Sequence, residues 1–335
     1  MRLLITGGAG FIGSHLAELC IREKAEVWII DDLSTGSLDN IQSLLPHPNF
    51  HFVKGTVLDR EAMVTLVGTC DIVLHLAAAV GVKLVIDQPL ESMHTNIFGT
   101  ELTLELADKF RKKVFITSTS EIYGCNDKVP LSEDDYRIYG STTIARWSYA
   151  GSKAMDEFLA LAYAKVKGLP VVIARLFNTV GPRQTGRYGM VIPRFVRQAL
   201  QGEPITVYGD GRQTRSFTYV GDVVRAIFAL IQEPKAVGEI FNIGGDHEIT
   251  IADLAQRVKR LTGSASKIRL VPYEEAYEQG FEDMRRRVPN TGKIKSLIDF
   301  QNRLSIDEIL CRVIDSERQS LGRTPTSAAH EAAAN

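Results

Sequence analysis

The chain has 335 residues, 44% hydrophobic and 24% charged, enough for one large α/β domain or two small ones around a real apolar core. With 39 Lys and Arg against 40 Asp and Glu, the formal net charge is -1. Bulk electrostatics therefore predict neither nucleic acid nor an anionic membrane as partner, and an anionic substrate would need a local cluster of cations. Cys20, Cys70, Cys125 and Cys311 are far apart and none has CxxC spacing, which predicts free thiols in a reducing cytoplasm and no metal or redox-dithiol site. No apolar run reaches membrane-spanning length, and the chain opens on a strand pattern where a leader would carry a charged and then an apolar stretch.

In chain order, Arg2–Thr6 predicts a strand and Phe11–Glu23 a helix. Glu26–Asp31, Asp71–Ala77 and Lys113–Ser118 predict further strands. Val171–Phe177 predicts a later strand of the same sheet, its near-continuous hydrophobicity fitting burial on both faces. Strands alternating with helices imply right-handed crossovers and a doubly wound parallel sheet, an α/β fold. Beyond about residue 178 the pattern loosens. Met190–Gln201, Asp222–Ile231 and Ile251–Leu261 read as helices, and Pro204–Tyr208 and Gly238–Ile243 as short strands. The expected organisation is a large domain over 1–178, a smaller lobe over 179–318 with some segments returning to the large one, and a disordered tail over 319–335.

The strongest local motif is Thr6-Gly7-Gly8-Ala9-Gly10-Phe11-Ile12-Gly13, between a strand and an apolar helix. Gly7 would allow a tight turn, Gly10 the close approach of a pyrophosphate and Gly13 tight packing of the helix. The helix N-terminus then offers free N–H groups and a positive dipole end to phosphate. Asp31 and Asp32 end the second strand, where a carboxylate accepts from ribose hydroxyls and repels a 2′-phosphate, which favours NAD over NADP. A structural turn with surface acids is the plain alternative.

A second motif is Tyr149-Ala150-Gly151-Ser152-Lys153. Residues four apart share a helix face, so Tyr149 and Lys153 would point into one cleft. An ordinary tyrosine has a pKa of about 10, and a neighbouring ammonium would lower it toward a useful base. A third motif, Ser118-Thr119-Ser120-Glu121-Ile122-Tyr123-Gly124, directly follows a predicted strand, where ligands bind in open parallel sheets. Thr119 can exchange a hydrogen bond with a reacting hydroxyl, and Glu121 is a candidate acid or base.

Together and in this order, these motifs resemble the extended short-chain dehydrogenase/reductase family, specifically its nucleotide-sugar epimerases, dehydratases and decarboxylases. Asp31-Asp32-Leu33-Ser34-Thr35-Gly36, His75-Leu76-Ala77-Ala78, Asn96-Ile97-Phe98-Gly99-Thr100 and the segment Arg175 to Arg183 extend the match. Tyr208-Gly209-Asp210-Gly211, Arg215 to Asp222 and Arg287-Val288-Pro289-Asn290 carry it to about residue 318. The resemblance implies a Rossmann domain holding NAD, a C-terminal α/β lobe holding a nucleotide sugar, and a homodimer built on a four-helix interface that includes the Tyr149 helix. In that interface the stripe Met155, Leu159, Ala162 would face either the core or a partner.

The resemblance implies catalysis by Thr119, Ser120, Glu121, Tyr149 and Lys153. It implies cofactor contacts from Gly7, Gly10, Phe11, Ile12, Gly13, Asp31, Asp32, Ser34, Thr35, Gly36, Leu76, Ala77, Ala78, Lys83, Asn96, Tyr149 and Lys153. Substrate contacts would come from Asn178, Arg183, Val191, Tyr208, Arg215 and Arg287, with Arg215 and Arg287 neutralising phosphates and Arg285 and Arg286 as neighbours of the chosen arginine.

Enzymes of this type oxidise the sugar at C4 and differ in the step after that oxidation. Thr119-Ser120-Glu121 resembles UDP-glucuronate decarboxylases, in which the 4-keto acid loses CO₂ and yields UDP-xylose. Lys83, in Ala79-Val80-Gly81-Val82-Lys83, resembles 4-epimerases. The favoured reading is a UDP-glucuronate decarboxylase. A UDP-sugar 4-epimerase, a 4,6-dehydratase and, in a different class, a non-catalytic NAD-binding scaffold stay open.

Overall fold

The computed structural model describes residues 1–81, 85, 87–186, 190–276 and 284–322. Its first half alternates strand and helix as the hydrophobic periodicity requires. The elements are β1 (Arg2–Thr6), α1 (Phe11–Arg22), β2 (Glu26–Asp31), β3 (Phe50–Lys54), α2 (Arg60–Thr69) and β4 (Ile72–His75). There follow α3 (Pro89–Lys109), β5 (Lys113–Thr119), α4 (Arg146–Lys167) and β6 (Val171–Leu176). β3 is absent from the sequence reading. It is the edge strand beside β2, and its His51 ring stacks on Trp28 with centroids 4.1 Å apart. Half-exposed edge strands lack the continuous apolar run that marks a central strand.

The second half contributes β7 (Thr179–Val180), α5 (Val191–Leu200), β8 (Ile205–Tyr208), β9 (Thr214–Ser216), β10 (Thr218–Tyr219) and α6 (Val220–Gln232). It continues with β11 (Ile240–Ile243), β12 (Glu248–Thr250), α7 (Ile251–Thr262), β13 (Ile268–Val271), α8 (Gly292–Leu297) and α9 (Ile306–Gly322). α9 runs through Gly322, so residues 319–322, expected in a disordered tail, are helical; the rest of that stretch lies outside the described residues. The buried face Ile309, Leu310, Val313 and Ile314 packs α9 onto α5 and α7, and that anchoring carries the helix beyond the point where sequence periodicity fades.

The main sheet has seven strands in the order β11-β6-β5-β4-β1-β2-β3, all parallel. One face carries α1 and α6, with Leu16, Leu19, Val223, Ile227 and Leu230 buried against Leu3, Ile5 and Ile29. The other carries α2, α3 and α4 over two apolar clusters, one around Leu4, Ile30 and Val73, the other around Val114, Ile116 and Ile173. Residues after 178 thus return to the sheet through α6 and β11. A separate core of Phe195, Val196, Val207, Leu254, Val258 and Leu310 joins α5, α7, α9 and β8 into the smaller lobe. Among the described residues no helix is long and apolar enough to cross a membrane.

Candidate active site

Where the order of connections reverses between β1 and β4, the carboxyl ends of the strands open into a cavity of about 990 Å³. Such switch points are where open α/β sheets bind ligands. The glycine turn forms one wall. Gly7 sits at φ 69°, and a Cβ there would lie 2.9 Å from the Ala77 backbone. A Cβ on Gly13 would lie 2.2 Å from the Gly7 carbonyl oxygen, so α1 meets the turn closely only without one.

Asp31 is largely buried: Oδ2 accepts from the Ala9 N–H at 2.9 Å and Oδ1 from the Leu33 N–H at 2.9 Å. Burial, against those backbone bonds, leaves its carboxyl above the ordinary value. Asp32 is exposed and accepts from the Ser34 N–H at 2.9 Å. Thr6 Oγ1 accepts from the N–H groups of Leu76 and Ala77, each at 3.1 Å, and lies 2.9 Å from His75 Nδ1, to which it donates its remaining proton. Burial first, then the Lys153 charge, hold His75 down at about 3, so the ring is neutral.

Of the residues the sequence assigns to cofactor, Gly7, Gly10, Phe11, Ile12, Gly13, Asp31, Asp32, Ser34, Thr35, Leu76, Ala77, Ala78, Tyr149 and Lys153 line this one cavity. Gly36 does not: a Cβ there would lie 2.7 Å from Asp31 Oδ1, so it packs behind the carboxylate. Asn96 does not either. It is buried on α3, accepts from the Ala79 N–H at 2.8 Å and donates to Ser152 Oγ at 3.3 Å, holding the loop to the helix of Tyr149. Lys83 lies outside the described residues.

The same cavity brings Thr119, Ser120, Glu121, Tyr149 and Lys153 together. Thr119 Oγ1 accepts from the Glu121 N–H at 3.2 Å, which leaves its proton for the Tyr149 oxygen, with which it is hydrogen-bonded. The phenol is pushed above its ordinary value, first by burial and then by the Glu121 charge, with the Thr119 bond opposing. The sequence reading expected the neighbouring Lys153 ammonium to lower it; here burial and the Glu121 charge prevail. The Lys153 ammonium donates to Asp156 Oδ2 at 2.7 Å, and both side chains are buried, so its charge is largely balanced within α4. Asp156 was not among the predicted residues; its place one turn after Lys153 was the available signal.

Glu121 sits between two guanidinium groups. Arg287 pairs with Oε1, and Arg146 Nη2 lies 3.1 Å from Oε2. Burial works to raise the Glu121 carboxyl, but the charges of Arg287, Arg146 and Arg215 and the Arg287 hydrogen bond outweigh it and hold the group down at about 2. Glu121 is therefore a carboxylate at neutral pH and no proton donor, which narrows its expected acid-or-base role.

The smaller lobe supplies the other wall with Asn178, Val191, Tyr208, Arg215 and Arg287. Asn178 is partly committed inside the protein: its Oδ1 accepts from Arg287 Nη2 at 2.8 Å and its Nδ2 donates to Ser216 O at 2.9 Å. Arg215 Nη1 donates to the carbonyls of Thr214 and Met284, each at 2.8 Å. Of the three consecutive arginines, Arg287 is the buried one lining the cavity, and it faces Glu121 and Asn178. Arg286 pairs with Glu248 on the surface, and Arg285 is exposed.

Arg183 is a correction. It lies outside the cavity, donating to Ser14 Oγ at 3.2 Å and pairing with Glu18 of α1, so it ties the lobe to the first helix. Arg146 and Arg194 are cavity residues the sequence reading missed. Arg194 lies over the Tyr208 ring at 3.8 Å from its centroid. An arginine next to the tyrosine motif and another in a predicted helix carry no pattern of their own.

The family profile described as GDP-mannose 4,6 dehydratase matches residues 4–313. A UDP-N-acetyl-alpha-D-glucosaminuronate decarboxylase of Bacillus cytotoxicus is 46% identical over 95% of this chain and 98% of its own. UDP-glucuronic acid decarboxylase 6 of Arabidopsis thaliana is 36% identical over 96% of this chain and 90% of its own. The structure of a UDP-glucuronic acid 4-epimerase from Bacillus cereus, in complex with UDP-glucuronic acid and NAD, aligns with a TM-score of 0.86 at 30% identity, covering 96% of this chain and all of that one. With the parallel sheet, the glycine turn and the tyrosine–lysine helix opening on one cavity, these likenesses show that the chain belongs to the GDP-mannose 4,6-dehydratase-type family of extended short-chain dehydrogenases/reductases.

Proposed function

We propose that the protein is an NAD-dependent decarboxylase of a UDP-linked uronic acid, with UDP-N-acetylglucosaminuronate the first substrate to test and UDP-glucuronate the second. The observation that carries this reading is Glu121, an ionised carboxylate paired with Arg287 beside the Thr119–Tyr149 hydrogen bond. Plain epimerisation needs no such pair. The 46% identity to a decarboxylase of the N-acetylated uronate, against 36% to one of UDP-glucuronate, supports the order of substrates.

The residues present fit NAD: a cradle a Cβ would fill at Gly7 and Gly13, an α1 N-terminus without a side-chain cap, and carboxylates at Asp31 and Asp32. Bound there, NAD would supply the two-electron oxidation at C4 and its reversal, together with a positive charge that offsets the burial of the Tyr149 phenol. Tyr149 takes the C4 hydroxyl proton, and Thr119 donates a hydrogen bond to the phenolate. Lys153, held by Asp156, orients the cofactor side of the site. The C4 ketone makes the C6 carboxylate a β-keto acid. The C5–C6 bond breaks, its electron pair moves onto the C4 oxygen and CO₂ leaves. C5 then takes a proton from water and C4 is reduced again. Glu121 repels a carboxylate and not neutral CO₂, so its charge favours bond cleavage. In this division of labour the sheet domain, residues 1–178 with its returning segments, carries NAD, and the lobe over 179–318 carries the UDP-sugar.

Incubation with each UDP-uronate should release CO₂ and give the matching UDP-pentose, read by mass spectrometry. A C4 epimer without CO₂ would make the protein an epimerase, and no transient reduction of bound NAD with any nucleotide sugar would leave a scaffold. Tyr149→Phe should lower turnover by about two orders of magnitude or more while NAD stays bound.

The free thiols fit a cytoplasmic enzyme. Met93 and Phe98 on α3 and Met155, Phe158, Ala162 and Val166 on α4 are exposed, an apolar two-helix face that fits a homodimer. Light scattering should give twice the chain mass, and Phe158→Glu should give monomers; a monomeric wild type would refute the dimer.

A further inference from the structure

We propose that Asp156 is a positioning residue for the oxidation step: paired with Lys153 inside α4, it fixes where the ammonium sits and withholds part of its charge from Tyr149. This rests on the reading of Tyr149 as the base opposite NAD.

Tyr149, Lys153 and Asp156 follow one another at helical spacing on one face of α4. Lys153 lines the cavity and Asp156 stands behind it, with Nζ 2.7 Å from Oδ2 and both residues almost wholly buried. Removing both members of a buried ion pair is often neutral for stability, so folding alone does not explain the carboxylate. A chain of hydrogen bonds reaches it from the other side. Thr6 Oγ1 donates to His75 Nδ1 at 2.9 Å, which leaves the proton of the neutral ring on Nε2. Nε2 donates to Thr100 Oγ1 at 3.1 Å, and the Thr100 hydroxyl gives its own proton to the Asp156 carboxylate, with which it is hydrogen-bonded. Every link points the same way, from the glycine turn through β4 and α3 to α4, and ends on a group that only accepts, as an ionised carboxylate does. Burial lifts the Asp156 carboxyl, while the Lys153 charge and the bonds from Lys153 and Thr100 oppose that rise. Oδ1 has no hydrogen-bond partner among the described residues.

The charge so held bears on the phenol. Burial raises Tyr149 most, then Glu121, and Asp156 raises it further against the Thr119 bond. The surrounding groups are otherwise matched. Glu121, on the turn after β5, pairs with Arg287 of the lobe and Arg146 of α4. Glu157, beside Asp156, pairs with Arg175 of β6, and His75 of β4 is neutral. In the NAD-loaded site, the positive charge of the cofactor and an unmatched ammonium would together leave the phenolate a feeble base. A base works best when its proton affinity matches the working pH. Asp156 tempers the ammonium and keeps the phenol in that range.

The test follows two quantities across pH in the NAD-loaded protein. One is the rate of reduction of bound NAD on mixing with UDP-N-acetylglucosaminuronate, read by absorbance. The other is ionisation of the Tyr149 phenol, read as the ultraviolet difference between each protein and its Tyr149→Phe counterpart. Asp156→Asn should move the acid limb of the rate and the phenol midpoint to lower pH by about one unit. Asp156→Glu, which keeps the charge, should leave both near wild type. An unmoved midpoint in Asp156→Asn, or an equal shift in Asp156→Glu, overturns the proposal. If Asp156→Asn does not fold, Asp156→Ser replaces it, with the same expected shift and the same overturning results. The base reading of Tyr149 fails separately, if wild type reduces its NAD with no nucleotide sugar; the phenol midpoint still decides whether Asp156 acts on Tyr149.

Discussion

Two buried ionic clusters flank the tyrosine helix, and they are built on opposite plans. Beneath the site, Arg175 of β6 meets Glu157 of α4 through Nε at 2.9 Å and Nη2 at 2.8 Å. Its Nη1 donates to Tyr123 Oη at 2.8 Å and to Glu133 O at 2.7 Å, and Ser118 Oγ donates to Glu157 Oε1 at 2.5 Å. Every nitrogen of that guanidinium has a partner, and neither Arg175 nor Glu157 lines the cavity. At the cavity wall, Glu121 pairs with both Arg146 and Arg287, and Arg287 Nε is buried without a hydrogen-bond partner among the described residues. A closed network away from the cavity fixes the helix against the sheet; the second one lines the cavity itself.

The comparison breaks most sharply at Arg175. Arg175→Met leaves Glu157 buried with the Ser118 hydroxyl and, as its one remaining cation among the described residues, the partly exposed Arg137, and should cost about 4 kcal/mol of unfolding free energy in urea. Loss of turnover in a variant as stable as wild type would place Arg175 with the catalytic cluster instead.

Next comes His75, part of the buried hydroxyl network under the glycine turn. Its folded pKa lies near 3, below the ordinary 6.5, so the unfolded chain binds the proton first. Stability should therefore fall as pH drops from about 6.5 toward 3, by something on the order of 3 kcal/mol. His75→Gln should flatten that part of the profile, and an unaltered slope would show that His75 does not carry it.

The smallest stability effect belongs to Glu121. Its folded pKa is depressed to about 2, so its contribution is complete above its unfolded value of about 4.5 and fades as pH falls through 2. Glu121→Gln should remove about 2 kcal/mol at neutral pH and lower CO₂ release by about two orders of magnitude, while C4 oxidation persists. Unchanged CO₂ release with the lower stability would make Glu121 structural, like Glu157.

The glycine turn, Asp31, Asp32, Thr119, Glu121, Tyr149 and Lys153 were legible because each belongs to a local pattern whose spacing is set by a turn or a helix. So was the parallel sheet, since hydrophobic period is a local property. What the chain could not announce by itself were pairings across long separations. Arg287 reaches Glu121 across 166 positions, and Arg183 reaches Glu18 across 165. The first pairing puts an arginine into the site and the second takes one out, although both belonged to the same expected set. The stripe on α4 divided in the same way: Leu159 packs into the core of its own chain, while Met155 and Ala162 face outward. Residue type and spacing fix which groups are available and which way a helix turns them. Only tertiary packing decides which charges meet, because burial and the choice of partner depend on segments that the local sequence does not contain.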